Sequence, residues 1–70
     1  MVTITNSETG RSVELDVIQA ETLALAIAWE RNRQYSEGRE ATGDYLDRIY
    51  RDALPVLWPE RADLVREVSA

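Results

Sequence analysis

Three carboxylates near the C-terminus have the spacing most suited to chemistry. Glu60, Asp63 and Glu67 are separated by three and four positions, so in a helix they lie on one face. Such a face offers oxygen ligands to a divalent cation or negative charge to a basic partner. A solvated face that compensates the helix dipole is favoured instead, because no loop supplies further oxygens at calcium-site spacing. We therefore predict no metal site and no cofactor.

Acidic residues are frequent throughout the second half of the chain, which indicates a further use of negative charge. The set comprises Asp44, Asp47, Asp52, Glu60, Asp63 and Glu67. Carboxylates displayed where phosphates would lie could inhibit a nucleic-acid-binding protein, and such a complex would be salt-sensitive. Arg48 and Arg51 interrupt this surface, each four positions after an aspartate, as in ordinary ion pairs on a helix surface. An acidic decoy is therefore the alternative function.

Basic and aromatic residues are interleaved in the middle of the chain, a pattern that can mark nucleic-acid contact. They are Trp29, Arg31, Arg33, Tyr35 and Arg39. On a helix, however, Arg31 and Arg33 point about 200° apart and do not form one patch. The net charge of −5 also opposes phosphate binding. We predict no direct contact with nucleic acid.

The residue types that are missing exclude most catalytic sites. The chain has no His, Cys or Lys, which removes the usual base, the thiolate nucleophile, the Schiff-base amine and zinc sites. Its three glycines form no phosphate-binding motif. The remaining carboxylates, arginines and hydroxyls have no catalytic spacing, so we predict that the protein is not an enzyme. Basic residues that are all Arg are typical of a GC-rich genome, such as that of a bacterium or phage.

The elements that position these residues begin with a predicted β-hairpin over residues 1–17. Val2–Thr5 and Ser12–Val17 alternate apolar and polar residues, and Asn6–Gly10 between them is rich in turn residues. The apolar positions that face the core are expected to be Val2, Ile4, Val13, Leu15 and Val17. A two-stranded sheet leaves two open edges, so it must pack on helices and can also pair with a copy of itself.

A long helix is predicted over residues 18–37. Asp16 followed by Gln19 matches a capping box at its start. Gly38 is placed to take the left-handed conformation that ends a helix. The polar segment 38–43 is expected to be a loop.

Two shorter helices complete the predicted fold. Residues 44–54 have one broad apolar stripe, with Thr42 as a candidate N-cap and Pro55 ending or kinking the helix. Residues 55–59 form a proline-framed connector, and 60–68 form a C-terminal helix. The sequence thus predicts one small α+β domain, residues 1–70, in the order ββααα.

The long helix carries large apolar residues on two faces. Leu23 and Ile27 lie on one face, which is expected to cover the hairpin. Ile18, Leu25 and Trp29 lie on the other, which must meet the later helices or another molecule. A small chain with an open hairpin edge and a two-sided helix favours a homodimer.

Small residues and a second tryptophan bear on the same question. Ala24 and Ala28 lie between the two faces, where they allow another helix to approach closely. Trp58 lies in the proline-framed connector. It either closes the core as a lid or is exposed and anchors a partner, since Trp is common at interface hot spots.

Composition and patterning together predict the class of protein. Hydrophobic residues make up 44% of the chain, no apolar run reaches the length of a membrane span, and the first residues lack the basic segment and apolar core that a signal peptide is expected to have. We predict a cytoplasmic, non-enzymatic protein of bacterial or phage type. Its expected role is protein–protein interaction, as a regulatory or accessory homodimer whose partner is a protein rather than nucleic acid or membrane.

Overall fold

The computed structural model describes the backbone of residues 1–69 and the side chains of residues 1–64. An antiparallel hairpin, β1 (Val2–Thr5) and β2 (Ser12–Leu15), is followed by three helices, α1 (Val17–Ser36), α2 (Glu40–Leu57) and α3 (Pro59–Ser69). The predicted α+β class and the ββααα order are confirmed. Over the described residues, no helix is both long and apolar enough to cross a membrane.

Among the residues whose side chains are described, the hairpin contacts the core at the end that joins α1. Val2 pairs with Leu15 beside the start of α1, and both side chains are partly buried against the core. The next pair on the same face, Ile4 and Val13, is exposed, because only the end of the hairpin that joins α1 reaches the helices. The prediction that the apolar residues of both strands face the core is therefore wrong for Ile4 and Val13. It is also wrong for Val17, which begins α1 and is exposed.

The start and the end of α1 follow local sequence signals. The Asp16 carboxylate accepts a hydrogen bond of 2.8 Å from the backbone N–H of Gln19, and the Gln19 side chain accepts one of 3.0 Å from that of Asp16. At the other end Gly38 has φ of 80°, a conformation that only glycine adopts at no steric cost. Its N–H donates to the carbonyl of Tyr35. The capping box and the terminal glycine are confirmed, and the bounds shift by one residue.

The second helix begins earlier than the sequence pattern predicts. It starts at Glu40 rather than at residue 44, so Thr42 and Gly43 lie inside its first turn and the loop shrinks to three residues. The N-cap is Arg39, without a capping side chain, so the assignment of Thr42 as N-cap is wrong. The physical reason for this early start is that the first turn of α2 lies close to α1. Gly43 is buried, and a Cβ built on it would lie 2.5 Å from Cε1 of Tyr35.

The same helix continues past Pro55, which the sequence predicted would end or kink it. Leu54 and Leu57 are both buried, so the last turn is held against the core even though Pro55 lacks an N–H to donate. The backbone N–H of Trp58 donates to the carbonyl of Leu54 and closes the turn. The predicted connector over residues 55–59 is thus reduced to Trp58.

A methyl group at Gly43 is expected to destabilise the domain, although alanine normally favours a helix. The Tyr35 ring cannot yield easily, because its hydroxyl donates a hydrogen bond of 2.7 Å to Asp44. Overpacking costs about 1–3 kcal/mol and helix propensity returns up to about 1 kcal/mol, so Gly43→Ala should lower the free energy of unfolding by about 1 kcal/mol. Urea titration measures this change. In a Tyr35→Ala background the same substitution should stabilise the protein, and equal effects in both backgrounds would contradict the proposed clash.

The core is made mainly of small residues. Its buried apolar members are Ala20, Ala24, Leu54, Leu57 and Ala62. Among the described side chains no large residue is fully buried, whereas thirteen large hydrophobic residues are exposed. Residues 1–64 therefore bury few large apolar side chains among themselves, and many of their large apolar side chains lie outside the core.

Candidate protein interaction surface

Helix α1 presents opposite faces to the core and to solvent. Ala20 and Ala24 are buried in the core cluster that includes Leu54 and Leu57 of α2. On the other side, Ile18 is 74% exposed, Leu25 46% and Trp29 76%. At about 100° per residue these three lie within roughly 40° of one another. The structure thus brings together three of the predicted interface residues and leaves them uncovered by α2.

The exposed positions continue along the whole helix at alternating spacings of four and three residues. We call this set the exposed stripe; its members are Ile18, Thr22, Leu25, Trp29, Asn32 and Ser36. None of the six is charged, although charged residues make up 30% of the chain. The interface predicted from the sequence did not include the three polar members, although the four–three spacing is the repeat of helix-pairing seams and could have revealed them.

The hydroxyl groups on the exposed stripe are already satisfied within α1. Thr22 donates a hydrogen bond of 2.7 Å to the carbonyl of Ile18, and Ser36 donates one of 2.9 Å to that of Arg33. Burying a polar group is costly mainly when its hydrogen bonds are lost. The stripe can therefore be covered by another apolar surface without leaving these hydroxyls unpaired.

The predicted cover of the hairpin by Leu23 and Ile27 is only partly as expected. Ile27 is partly buried and packs against the core. Leu23 is 37% exposed and lines a shallow depression with Leu15 and Ile18, beside the exposed stripe. Part of this second face therefore adds to the apolar surface that solvent can reach.

Trp58 lies apart from the exposed stripe. Its side chain is partly buried and packs against the core cluster. It also lines a cavity of about 310 Å³ with Val17, Ala20, Val56 and Leu57, on a different side of α1 from Leu25. In this chain Trp58 packs as a lid on the core, and it does not extend the surface formed by Leu25 and Trp29.

The acidic residues do not form one free surface in the described part of the chain. Asp47 accepts hydrogen bonds of 2.8 Å from Arg51 and 2.9 Å from Arg31, which joins α2 to α1. Asp44 accepts from the Tyr35 hydroxyl. Asp52, Glu60 and Asp63 are exposed, and the side chain of Glu67 lies outside the described residues. Within those residues no three acidic side chains are grouped as a metal site.

The three central arginines are engaged within the chain. Arg31 also lies over the ring of Tyr50, 4.8 Å from its centre. Arg33 pairs with Glu30 at 2.8 Å, and Arg39 pairs with Glu37. The contact of Arg31 with Tyr50 joins α1 to α2, whereas the pairs of Arg33 and Arg39 are local in sequence.

The ion-paired carboxylate of Asp47 should make the free energy of unfolding depend on pH in the acidic range. Hydrogen bonding to Arg51, and secondarily to Arg31, lowers its pKa below the ordinary 3.8, although burial partly opposes this. A lowered folded-state pKa contributes stability above the unfolded pKa, and that stability is lost as pH falls through the folded pKa. The difference in unfolding free energy between wild type and Asp47→Asn should therefore shrink below about pH 4. Urea titrations at several pH values test this, with Asp52→Asn as control; a difference independent of pH would contradict it.

Comparison of the chain with protein-family models, curated proteins and solved structures gives no significant match.

Proposed function

We propose that the protein is a non-enzymatic interaction protein that works as a homodimer through the exposed stripe of α1. The observation that carries this proposal is the exposure of Ile18, Leu25 and Trp29 on one uncharged helix face. Contiguous exposed apolar patches on a soluble domain mark interaction sites. Tryptophan is a typical anchor residue of such a surface.

The small core supports a second copy of the chain as the occupant of the stripe. Among the side chains of residues 1–64, three of the five buried apolar ones are alanine, and small domains with little buried apolar area gain stability by oligomerising. A second copy of the chain is always present, and it has the same small core and the same exposed apolar face. In an isologous pair, one interface therefore buries apolar surface of both copies.

Charge is compatible with this pairing. Each copy has a net charge of −5, yet the six positions of the exposed stripe have none, so like charges stay at the rim of the interface. Screening by salt weakens repulsion between exposed charges. Dimerisation should therefore persist or strengthen as salt rises, whereas an acidic decoy bound to a basic protein would be released.

A regulatory or accessory role in the cytoplasm of a bacterium, or in phage infection, is part of the proposal. The absence of His, Cys and Lys supports a protein without catalytic chemistry. A chain without cysteine is compatible with a reducing compartment. In this role the dimer presents its remaining surfaces, including the exposed ends of the hairpins, to a protein partner.

Sedimentation velocity across a concentration series tests the proposal. The expected result is a dimer at micromolar concentration that dissociates on dilution and does not weaken between low and high salt. A monomer throughout the series would contradict the proposed function.

A further inference from the structure

The four–three spacing of the exposed stripe is the seam of a heptad repeat. Thr22, Trp29 and Ser36 occupy one core position of the heptad, and Ile18, Leu25 and Asn32 occupy the other. All six are exposed, so the seam faces outward over nearly the full length of α1. This spacing fits another helix with the same repeat better than an irregular surface.

We infer that the second copy packs its α1 antiparallel to the first, with Leu25 of each copy against Trp29 of the other. The inference rests on the proposed homodimer and adds its orientation and register. A two-fold axis at the level of Ile27 brings Leu25 opposite Trp29, Thr22 opposite Asn32 and Ile18 opposite Ser36. Each layer then joins one member of each heptad position.

The distribution of residue types along the exposed stripe favours this orientation. The antiparallel register places both Leu25–Trp29 layers at the centre and the polar pairs of Thr22 with Asn32 outside them. Protein interfaces typically have such an apolar centre and polar rim. A parallel pair would instead stack Asn32 on Asn32 and Ser36 on Ser36, which makes the two layers at the C-terminal end of the seam entirely polar. Opposed helix dipoles add to the preference for the antiparallel pair.

The flanks of the exposed stripe permit close contact near the two-fold axis. Ala26 and Ala28 lie on either side of the stripe, between Leu25 and Trp29 in sequence. With methyl groups on both flanks at the centre, the two helices can approach closely enough for Trp29 to reach across. Charged flanking residues, Glu21 and Arg33, lie farther from the centre.

Cross-linking of single-cysteine variants distinguishes the orientations, because the chain has no cysteine of its own. Positions 18 and 36 lie about 27 Å apart along the helix. In the antiparallel dimer, Ile18→Cys of one copy lies beside Ser36→Cys of the other, while like positions are separated by that distance. A short bis-maleimide should therefore yield ~10-fold more cross-linked dimer from a mixture of the two variants than from either alone. Thr22→Cys with Asn32→Cys provides a second pair that leaves Ile18 in place.

Each result has a distinct meaning when sedimentation of the same samples is measured. Cross-linking in the mixtures alone supports the antiparallel register. Efficient cross-linking of each variant with itself would overturn that register and leave the proposed homodimer standing. A dimer in which neither pair cross-links would overturn the inference and also the assignment of the dimer interface to the exposed stripe. A monomer for the wild-type chain would overturn the proposed function itself.

Discussion

Replacing Trp29 with alanine is expected to raise the dissociation constant of the homodimer by roughly 10³-fold, because one substitution truncates an anchor on both sides of the interface. A central tryptophan hot spot contributes about 2 kcal/mol or more when truncated. The substitution acts twice in each dimer, which gives about 4 kcal/mol in total. Trp29 is 76% exposed in the single chain, so its removal leaves the core of the fold unchanged.

Tyr45→Ala is the matched control for this prediction. Tyr45 is also an aromatic residue on a helix, 66% exposed, but it lies on α2, away from the exposed stripe. Sedimentation and circular dichroism of both variants separate loss of association from loss of folding. Trp29→Ala should be a folded monomer at concentrations where Tyr45→Ala and wild type are dimers. Equal dimer affinity for wild type and Trp29→Ala would contradict the assigned surface.

Replacing Leu54 with alanine is expected to lower the free energy of unfolding by about 3 kcal/mol, within the range for buried leucines. Leu54 is 3% exposed and contacts a core to which the described side chains contribute five buried apolar residues. Small domains are stable by only a few kcal/mol. The variant should therefore be largely unfolded at low concentration, where dimerisation adds little stability.

Leu64→Ala provides the control for the same chemical change. Leu64 is 54% exposed, so its truncation should lower the unfolding free energy by less than about 1 kcal/mol. Urea titrations of both variants at one fixed protein concentration keep the contribution of association constant. Similar losses for the two leucines would show that the core does not lie at the junction of α1, α2 and α3.

The parts of the fold that the sequence predicted depend on short-range signals. The capping box of Asp16 with Gln19 and the terminal Gly38 fix α1 to within one residue, because each acts through hydrogen bonds to nearby backbone. The early start of α2 could not be predicted from such local signals. It depends on Gly43 packing against Tyr35, a contact made only when the helices meet. The passage of α2 through Pro55 likewise depends on Leu57 being buried.

The three apolar members of the exposed stripe were predictable from the sequence, but their exposure was not. Periodicity placed Leu25 and Trp29 on one face of α1, yet it did not determine whether α2 would cover them. In the structure α2 packs against Ala20 and Ala24 instead. Small side chains let the two helices approach closely, so the core forms on the alanine face and the largest side chains remain outside. Hydrophobic size alone would have suggested the reverse arrangement.

Intermolecular nuclear Overhauser effects in a mixed sample test the central claim most directly. Half of the chains are labelled with ¹³C and half are unlabelled, and the filtered spectrum then reports only contacts between copies. We expect contacts between the Trp29 ring of one copy and the Leu25 methyl groups of the other. Well-resolved spectra at millimolar concentration that contain no intermolecular contact to Trp29 would contradict the claim that a second copy covers the exposed stripe.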